Sequence, residues 1–393
     1  MAEKNSIWPF LDAKTKLPSE RVRVFLSIFA VLMVLVAYVL DYHGDGNEML
    51  YRTYATQDKD TIDGVFIGNS SINRSWVAPI AWNECGITFF SLSSGNQPIV
   101  LATDIIEAAK EKQDIKYAVI DIHPIRTTTY YTAYSPSIRR VADNMPRFSP
   151  IRWDIISKGL KYYEESYKEI DREDKYNDNV KGKEYSFYFR FFQYHSRWSE
   201  LDIEDFRKPV NEYKSAYTEP IFYTQTEFEE RYPFETQAGG LSDSQKKVLQ
   251  NIIDYANDNK FPILFISVPT NMEEADQKEL LEAFEIIEGQ KSEYVDCINF
   301  NNQEMYDTLG INVETDFYDN DHLNYLGAPK LTKYLAHFIQ DKYSIKDKRG
   351  DNKYSSWDEA YEKYIERRED VLERIENKDI IFDKYGNVIL GDD

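Results

Sequence analysis

The sequence lacks a disulfide framework, a positive charge balance and the common nucleotide and metal motifs. Only Cys85 and Cys297 are cysteines, so no cysteine-based zinc site is expected, and we interpret both as small buried side chains. The sequence leaves open whether they pair. Lysine and arginine total 47 against 68 aspartates and glutamates, a net charge of −21 that disfavours nucleic acid or an anionic membrane surface as a partner. No P-loop, dinucleotide-binding glycine motif, zinc-protease motif or EF-hand loop occurs, so neither a metal nor a cofactor is expected.

Long apolar runs are scarce as well, and the one that stands out covers residues 24–40. It carries no charged residue, and at about 1.5 Å per residue its length of about 26 Å is just enough to span a membrane, whose hydrocarbon core is about 30 Å thick. We therefore predict a transmembrane helix over 24–40 that anchors the protein in membrane lipid. A cleaved signal peptide is the alternative, but Asp41-Tyr42-His43 follows the run where a cleavage site would have small residues.

The charges on either side of this run predict its orientation. Basic residues precede it and acidic residues follow it: Lys4, Lys14, Lys16, Arg21 and Arg23 before, and Asp41, Asp45 and Glu48 after. Because basic residues tend to stay on the cytoplasmic side, we expect residues 1–23 in the cytoplasm and the remainder outside it. The expected location is the cell membrane, with a single span and an extracytoplasmic domain.

From about residue 60 to 345, short apolar runs alternate with helical stretches. The strand-like runs are Gly64–Ile67, Thr88–Leu92, Tyr117–Ile122, Ile263–Val268 and Tyr294–Phe300. The helical stretches are Ile99–Lys112, Ser242–Asp258, Met272–Glu288 and Tyr325–Tyr343, with Ser242 or Asp243 as the expected N-cap of the second. This alternation is typical of a parallel sheet with crossover helices. We predict a three-layer α/β/α sandwich.

Two regions depart from the alternation. Residues 127–240 form a large insertion rich in aromatic side chains, which predicts a lid or wall of a binding site or, alternatively, a helical subdomain that serves stability. Within it, Arg197 and Trp198 are candidate substrate-binding residues, although a buried aromatic core is the alternative. Residues 346–393 form a charged tail, for which we predict a surface helix over Trp357–Glu376 and a small hairpin over residues 380–390.

Side chains suited to nucleophilic catalysis occur at two distant positions. The apolar run before Gly68 stops at Ser70, as expected of a strand that ends at an active-site loop, and open α/β sheets bind ligands outside such strand ends. Far downstream, Asp319 and His322 have a D-x-x-H spacing before the last helix. A serine hydroxyl needs an imidazole to take its proton, and the imidazole needs a carboxylate to orient it.

Each of these residues also has a simpler explanation. Ser70 follows a sequence common in turns, Asp319 is suited to capping the next helix, and a single histidine such as His322 is more often structural. Ser71 is a rival nucleophile and Asp321 a rival orienting carboxylate. The order of the residues along the chain, with the serine early and the D-x-x-H pair before the last helix, favours the catalytic interpretation.

Three blocks of the sequence together resemble the SGNH/GDSL hydrolase superfamily, in a membrane-anchored form. They are Gly68-Asn69-Ser70, the stretch from Gly86 to Gln97, and the terminal D-x-x-H-x-N block, within about residues 60–345. The resemblance implies Ser70 as nucleophile, His322 as base and Asp319 as its orienting residue. It also implies that the backbone amides of Ser70 and Gly95 form part of an oxyanion hole. The superfamily's G-x-N-D asparagine is missing, so we expect Asn96 or His123 to supply the third donor.

Three functions from different classes follow from this resemblance. The first is an extracytoplasmic O-acyltransferase that modifies a cell-envelope polysaccharide or teichoic acid. Tethered members of the superfamily, including proteins that take part in D-alanyl transfer to lipoteichoic acid, resemble partners of multispanning membrane-bound O-acyltransferases. The second is an esterase or deacetylase with the same triad and water as acceptor. The third is a non-catalytic assembly partner of a membrane acyltransferase, a class that the missing G-x-N-D motif keeps open.

Overall fold

The structure is a computed structural model that describes residues 19–41, 49–127, 135–146, 149–169, 182–207, 210–216, 236–270, 272, 274–319, 321–377, 380–382 and 388–390. The chain divides into two compact units. The first consists of Met1–Tyr42 and Phe189–Arg207, and the second of His43–Tyr188 and Lys208–Asp393. All three residues of the predicted triad belong to the second unit.

The second unit contains a five-stranded parallel sheet, which confirms the predicted fold class. Its strands are β1 (Gly64–Ile67), β2 (Phe89–Ser91), β3 (Tyr117–Asp121), β4 (Ile263–Ser267) and β5 (Val295–Asn299). Their order across the sheet is β2-β1-β3-β4-β5, and every neighbouring pair is parallel. Because all five strands run in one direction, the loops that follow β1, β2 and β3 meet at a single edge.

Helices flank the sheet, as expected because the central strands β1, β3 and β4 are buried almost throughout and need cover on both faces. The helices of this part are Met49–Thr56, Ser70–Ser75, Ala78–Cys85, Ala102–Lys110, Asp243–Asp258, Glu274–Glu288, Gln303–Leu309 and Gly327–Tyr343, with 3-10 turns at Ile99–Leu101 and His123–Thr127. Ser242 caps the Asp243–Asp258 helix as predicted, and its hydroxyl accepts from the Gln245 backbone N–H while the Gln245 side chain accepts from Ser242. This reciprocal pair fixes where the helix begins.

The two cysteines are both buried and free, so they form no disulfide. Burial raises the pKa of the Cys85 thiol to about 11 and that of the Cys297 thiol to about 12. Both thiols therefore stay protonated near neutral pH and are poor nucleophiles.

One edge of the sheet is covered by a short loop, residues 210–216. The backbone N–H of Ser91, on the edge strand β2, donates to Ser215 Oγ at 2.8 Å. Lys214 and Ser215 both have left-handed backbone conformations, with φ of 49° and 76°. Such conformations are unfavourable for side chains other than glycine, so the surrounding contacts must hold the loop in place.

Lys214 joins this loop to two other parts of the second unit. Its ammonium donates to Gln57 Oε1 at 2.7 Å and to Ser356 Oγ at 2.9 Å, beside a polar cavity of about 360 Å³. The side chain is buried, and burial lowers the pKa of Lys214 to about 8 even though nearby carboxylates oppose the shift. The ammonium thus anchors the loop at an electrostatic cost.

The charged tail belongs to the second unit and packs on the rest of it through one stripe of its helix. This helix covers Ser355–Glu376, after a 3-10 turn at Asn352–Tyr354, and buries Trp357, Tyr364 and Val371, which are spaced seven residues apart. Trp357 lies 5.9 Å from Trp82, centroid to centroid. The strands β8 (Ile380–Phe382) and β9 (Val388–Leu390) form an antiparallel pair beyond it.

The described part of the insertion is helical and contains no strand. Its elements are Ser135–Ala142, Pro150–Glu169, Tyr185–Tyr188, Phe191–Tyr194, the 3-10 turn His195–Ser199, and Ile203–Arg207. The fully buried Arg152 donates to the Ala142 carbonyl at 2.9 Å and to the Phe187 carbonyl at 2.7 Å. The insertion is divided between the two units, since Phe189–Arg207 belongs to the first and the rest to the second. Both predicted roles, a lid or wall and a helical subdomain that serves stability, stay predictions.

The first unit contains one helix, Glu20–Leu40, that is long and apolar enough to cross a membrane, with a mean hydropathy of 2.5. Its side chains are exposed along most of its length, and only Ala37 and Leu40, in the last turn, are buried. An exposed apolar surface of this length is suited to a lipid environment. Which side of the membrane the rest of the chain occupies stays a prediction.

Candidate active site

Strand β1 brings Ser70 to the edge of the sheet where three loops meet. The serine is the first residue of the Ser70–Ser75 helix, and Asn69 is the N-cap, whose Oδ1 accepts from the Ser71 backbone N–H at 2.9 Å. Ser70 is partly exposed, so its hydroxyl is accessible. The short polar residue and paired hydroxyls after the apolar run therefore form a capped turn that starts the helix.

Gly68 allows the chain to pass closely over β3 before it reaches the serine. A Cβ at this position would lie 2.7 Å from Ile72 Cγ2 and 2.9 Å from Asp121 Cβ. Both neighbours are fully buried and have little room to move. Any larger residue would displace the turn that presents Ser70.

Asp319 and His322 face each other across a tight hairpin, which explains their three-residue spacing. They belong to β6 (Phe317–Asp319) and β7 (His322–Leu323), an antiparallel pair in which the two residues are directly opposite. His322 Nδ1 lies 2.7 Å from Asp319 Oδ1 and 2.9 Å from Oδ2. Burial is the largest single effect and would raise the pKa of Asp319. The hydrogen bond and charge of His322, the Asp321 backbone N–H and the charge of Arg74 together outweigh it and hold the pKa below its usual value of 3.8.

The hairpin brings the imidazole to the serine. His322 Nε2 lies 2.8 Å from Ser70 Oγ. Because the Asp319 carboxylate only accepts hydrogen bonds, Nδ1 carries the imidazole proton and Nε2 accepts from the serine hydroxyl. The three side chains thus form a continuous chain of hydrogen bonds in the order of a serine triad. Their catalytic roles stay a prediction.

A further contact links the two halves of this site. The Thr332 hydroxyl, on the Gly327–Tyr343 helix, donates to the Ser75 carbonyl at 3.0 Å and accepts from the Val77 backbone N–H at 2.9 Å. Thr332 is fully buried. It joins the end of the helix that starts at Ser70 to the helix that follows His322, and so helps fix their separation.

The rival residues from the sequence lie beside the triad but do not contact the imidazole. Ser71 is 1% exposed, and its Oγ has no hydrogen-bond partner in the part of the chain that the structure describes. The Asp321 carboxylate accepts from Arg126 Nη2 at 3.1 Å, while its backbone N–H donates to Asp319 Oδ1 at 2.9 Å. The geometry therefore favours Ser70 over Ser71 and Asp319 over Asp321.

Two backbone amides are available as oxyanion donors. Phe66 of β1 is paired with Ser91 of β2. Ser70 follows Phe66, and Gly95 follows Ser91, by the same number of residues. Neither amide donates to a backbone carbonyl of any described residue. The Gly95 carbonyl accepts from Arg140 Nη1 at 2.8 Å, which leaves its N–H side unobstructed by that contact. Their role as oxyanion donors stays a prediction.

The third donor was expected to be Asn96 or His123, and the two differ in their surroundings. Asn96 is partly exposed and has a left-handed backbone, with φ of 54°. His123 is 2% exposed, and its Nε2 is hydrogen-bonded to Arg126 Nη2. Burial lowers the pKa of His123 well below 6.5, and the charges of Arg126 and His322 lower it further. His123 is therefore neutral.

The contact with Arg126 also fixes which nitrogen of His123 carries the proton. A guanidinium only donates, so Nε2 is the acceptor and the proton resides on Nδ1. This Nδ1 is buried and has no hydrogen-bond partner among the described residues. A buried donor without an acceptor is unfavourable unless a ligand supplies one. His123 is thus better suited than Asn96 to be the third donor.

Two neighbouring residues, Arg126 and Asp121, had no assigned role in the sequence. Arg126 contacts Asp276 and Asp321 as well as His123, and it is 9% exposed on its side chain. Asp121, at the end of β3, lies beneath Gly68, and burial raises the pKa of its carboxyl to about 7. An Asp-x-His-x-x-Arg pattern after a buried strand was the only available signal, and it is too short to be specific.

The predicted substrate-binding residues Arg197 and Trp198 lie in the first unit, not with the triad in the second. Arg197 donates to the Leu40 carbonyl at 2.9 Å and to Asp205 Oδ1 at 3.0 Å. Trp198 is 73% exposed, so it does not belong to a buried aromatic core. Their role in substrate binding stays a prediction.

Among the residues that the structure describes, no group of three or more histidine, cysteine, aspartate or glutamate side chains is arranged to hold a metal ion. In comparisons with known proteins, no family model and no curated protein matches this chain.

Proposed function

We propose that the protein is a membrane-anchored O-acyltransferase that forms an acyl ester on Ser70 and passes it to a hydroxyl of a cell-envelope polysaccharide or teichoic acid. The observation that carries this proposal is the hydrogen-bond chain from Asp319 through His322 to Ser70 Oγ. A serine hydroxyl hydrogen-bonded to an oriented imidazole is the arrangement that acyl transfer requires.

In the first half-reaction, Ser70 Oγ attacks the carbonyl carbon of an acyl donor while His322 Nε2 takes the hydroxyl proton. The Asp319 carboxylate stabilises the imidazolium that results. Negative charge develops on the carbonyl oxygen, which the amides of Ser70 and Gly95 and the Nδ1–H of His123 would stabilise. The imidazolium then protonates the departing group, which leaves the acyl group on Ser70.

In the second half-reaction, a sugar or polyol hydroxyl attacks the acyl-serine, and His322 takes its proton and returns it to Ser70 Oγ. Water in place of the sugar would make the same protein an esterase, since both routes share the acyl-enzyme. Support for a glycan acceptor comes from the sequence resemblance and from the apolar Glu20–Leu40 helix, which would hold the domain at the cell envelope. A multispanning O-acyltransferase is the partner that the resemblance implies. A non-catalytic assembly protein would have no use for a closed serine–histidine–aspartate chain.

The test is covalent labelling of the purified full-length protein with a fluorophosphonate, followed by mapping of the adduct by mass spectrometry. We expect the adduct on Ser70. A Ser71→Ala variant is the matched control and should label normally, whereas His322→Ala should label far more slowly. An unlabelled Ser70 in a folded protein would contradict the proposal.

Transfer and hydrolysis separate in a second measurement. The protein is acylated with an activated acetyl ester, and a polyol or a purified envelope glycan is then added as acceptor. Acetyl groups recovered on the acceptor would support transfer. Acetate released at the same rate with and without the acceptor would support an esterase.

A further inference from the structure

The Phe189–Arg207 segment, part of the first unit, exposes large apolar side chains. Trp198 is 73% exposed, Ile203 is 60% exposed and Phe206 is 59% exposed. Ile203 and Phe206 are three residues apart in one helix, Ile203–Arg207, so they lie on the same side of it. Phe189 and Phe192 are also more than half exposed. Clustered apolar surface of this kind marks a binding surface in most proteins.

The same segment packs against the carboxyl end of the apolar Glu20–Leu40 helix. Arg197 Nη1 donates to the Leu40 carbonyl at 2.9 Å, and Arg190 Nη1 lies 3.4 Å from Asp41 Oδ2. The only buried residues of the apolar helix, Ala37 and Leu40, are in its last turn. A guanidinium at a helix carboxyl end is also favoured by the helix dipole. The segment is therefore fixed at one end of the apolar helix.

This position corresponds to the boundary of a membrane. The helix of 21 residues is about 31 Å long at about 1.5 Å per residue, and its charge-free part, residues 24–40, is about 26 Å long. This is close to the thickness of a hydrocarbon core of about 30 Å. With Glu20–Leu40 across the core, the Phe189–Arg207 segment lies at the level of the lipid headgroups. Tryptophan and other aromatic residues are enriched at this level, where apolar rings meet acyl chains.

The charges of the segment are compatible with this environment. Asp205 is fully buried and paired with Arg197 at 3.0 Å, so neither isolated charge faces the acyl chains. The exposed side chains Trp198, Ile203 and Phe206 carry no charge. The segment also carries the exposed charged residues Glu200, Asp202 and Arg207. At the headgroup level such charges stay in contact with water while the apolar side chains enter the interface.

We propose that the Phe189–Arg207 segment binds the lipid bilayer at the carboxyl end of the span, with Trp198, Ile203 and Phe206 inserted between the headgroups and the upper acyl chains. The continuity of this surface with the lipid-facing helix is the reason for assigning lipid as its occupant. The proposal rests on the predicted span and is independent of the chemistry at Ser70. It assigns lipid contact to Trp198 in place of substrate contact.

The test uses the full-length protein in phosphatidylcholine vesicles that contain a lipid with a photoreactive diazirine on its acyl chain. After illumination, labelled peptides are mapped by mass spectrometry. We expect labels on the Glu20–Leu40 helix and on the peptides that carry Trp198, Ile203 and Phe206. The peptide with Leu326, which is 38% exposed in the second unit, gives the background for an exposed apolar side chain.

Variants make the result specific. Phe206→Glu places a charge at an exposed position, where the fold should tolerate it, and should remove most labelling of the Ile203–Arg207 peptide. Leu326→Glu is the matched control and should leave that labelling unchanged. Labelling confined to Glu20–Leu40 would overturn the placement of the segment in the interface. Labelling of neither region would overturn both the membrane span and the placement of the segment in the interface. Fluorophosphonate labelling of Ser70 would still test the catalytic site separately. Protection of the segment in native membranes, without labelling in pure vesicles, would assign it to a protein partner.

Discussion

Arg126 donates a hydrogen bond from Nη2 to Nε2 of His123, and this contact leaves Nδ1–H as the donor of the buried imidazole. The arrangement parallels that of the triad, in which Asp319 decides which nitrogen of His322 receives the serine proton. Both imidazoles thus carry their proton on Nδ1, but they use it differently. His322 donates it to Asp319 and accepts from Ser70 at Nε2, whereas the Nδ1–H of His123 has no acceptor among the described residues.

The first prediction concerns the triad. Ser70→Ala and His322→Ala should each reduce turnover of an activated acetyl ester by about 10⁶-fold, and Asp319→Asn by about 10⁴-fold, which are the losses known for a serine triad. Because the three residues act as a unit, the Ser70→Ala/His322→Ala double variant should be no slower than either single variant. The rate constants are measured on full-length protein, with thermal unfolding as the check on folding.

Ser71→Ala is the control for the triad series, since its hydroxyl is buried away from the imidazole. Normal turnover is expected. If Ser71→Ala were inactive and Ser70→Ala active, the nucleophile would move by one residue, and full activity in His322→Ala would remove the catalytic interpretation.

The second prediction concerns His123 as an oxyanion donor. His123→Ala should lower kcat by about 10²–10³-fold with little change in KM, since a donor to the developing oxyanion acts mainly in the transition state. His123→Asn retains a donor and should lose less. Arg126→Gln should also lower kcat, because the imidazole proton is then free to move to Nε2.

Asn96→Ala is the matched control for His123 and is expected to have near-normal kcat. A large loss in Asn96→Ala with none in His123→Ala would assign the third donor to Asn96 instead. If His123→Ala lowered both the folding stability and kcat, and His123→Asn recovered neither, His123 would have a packing role only.

The third prediction is a pH dependence of stability that comes from Asp121. Its pKa is raised to about 7 in the folded protein from an ordinary 3.8, so the folded state binds the proton more tightly than the unfolded chain. The free energy of unfolding should therefore fall as the pH rises from about 4 to about 7, relative to an Asp121→Asn variant that cannot titrate. Since one pKa unit is worth about 1.4 kcal/mol, the change is a few kcal/mol. Urea unfolding at pH 5 and pH 8 measures it, and parallel pH profiles for the two proteins would contradict it.

The fourth prediction has the opposite sign and comes from Lys214. Its folded pKa of about 8 is below its ordinary 10.5, so between these values the unfolded chain binds more protons than the folded protein. Relative to Lys214→Met, the wild-type protein should gain stability as the pH rises from about 8 to about 10.5. Denaturant midpoints at pH 7.5 and pH 10 test this. Lys116→Met, at an exposed lysine, is the control and should show no such difference.

Local patterns in the sequence were sufficient to predict the parallel sheet and the order of its strands and helices along the chain. Each strand is an apolar run that ends at polar residues, so Gly64–Ile67 and Ile263–Ser267 are readable without any knowledge of their neighbours. The Ser242 cap and the Asp319–His322 pair are likewise local, since each involves residues three apart. Such features depend on backbone geometry over a few residues, which the sequence specifies directly.

The contacts that complete the site are of another kind. Ser70 and His322 are separated by 252 residues, and only a family resemblance could suggest that they meet. Arg126 with Asp276, and Arg140 with the Gly95 carbonyl, join elements that are far apart in the sequence, and nothing in the residues themselves specifies the partner. The burial that neutralises His123 depends on how all the surrounding elements pack, which a single sequence does not show.

The hydrogen bond from the Ser91 backbone to Ser215 Oγ has a consequence for association between molecules. An unpaired backbone amide on an edge strand is a template on which another chain can add a strand, and β2 is such an edge. Here the Ser91 amide already donates its hydrogen bond to the Ser215 hydroxyl, which lies on a strained turn. Ser215→Ala would leave it available, so self-association through β2 would become a route to aggregation, and light scattering under mild denaturation would reveal it.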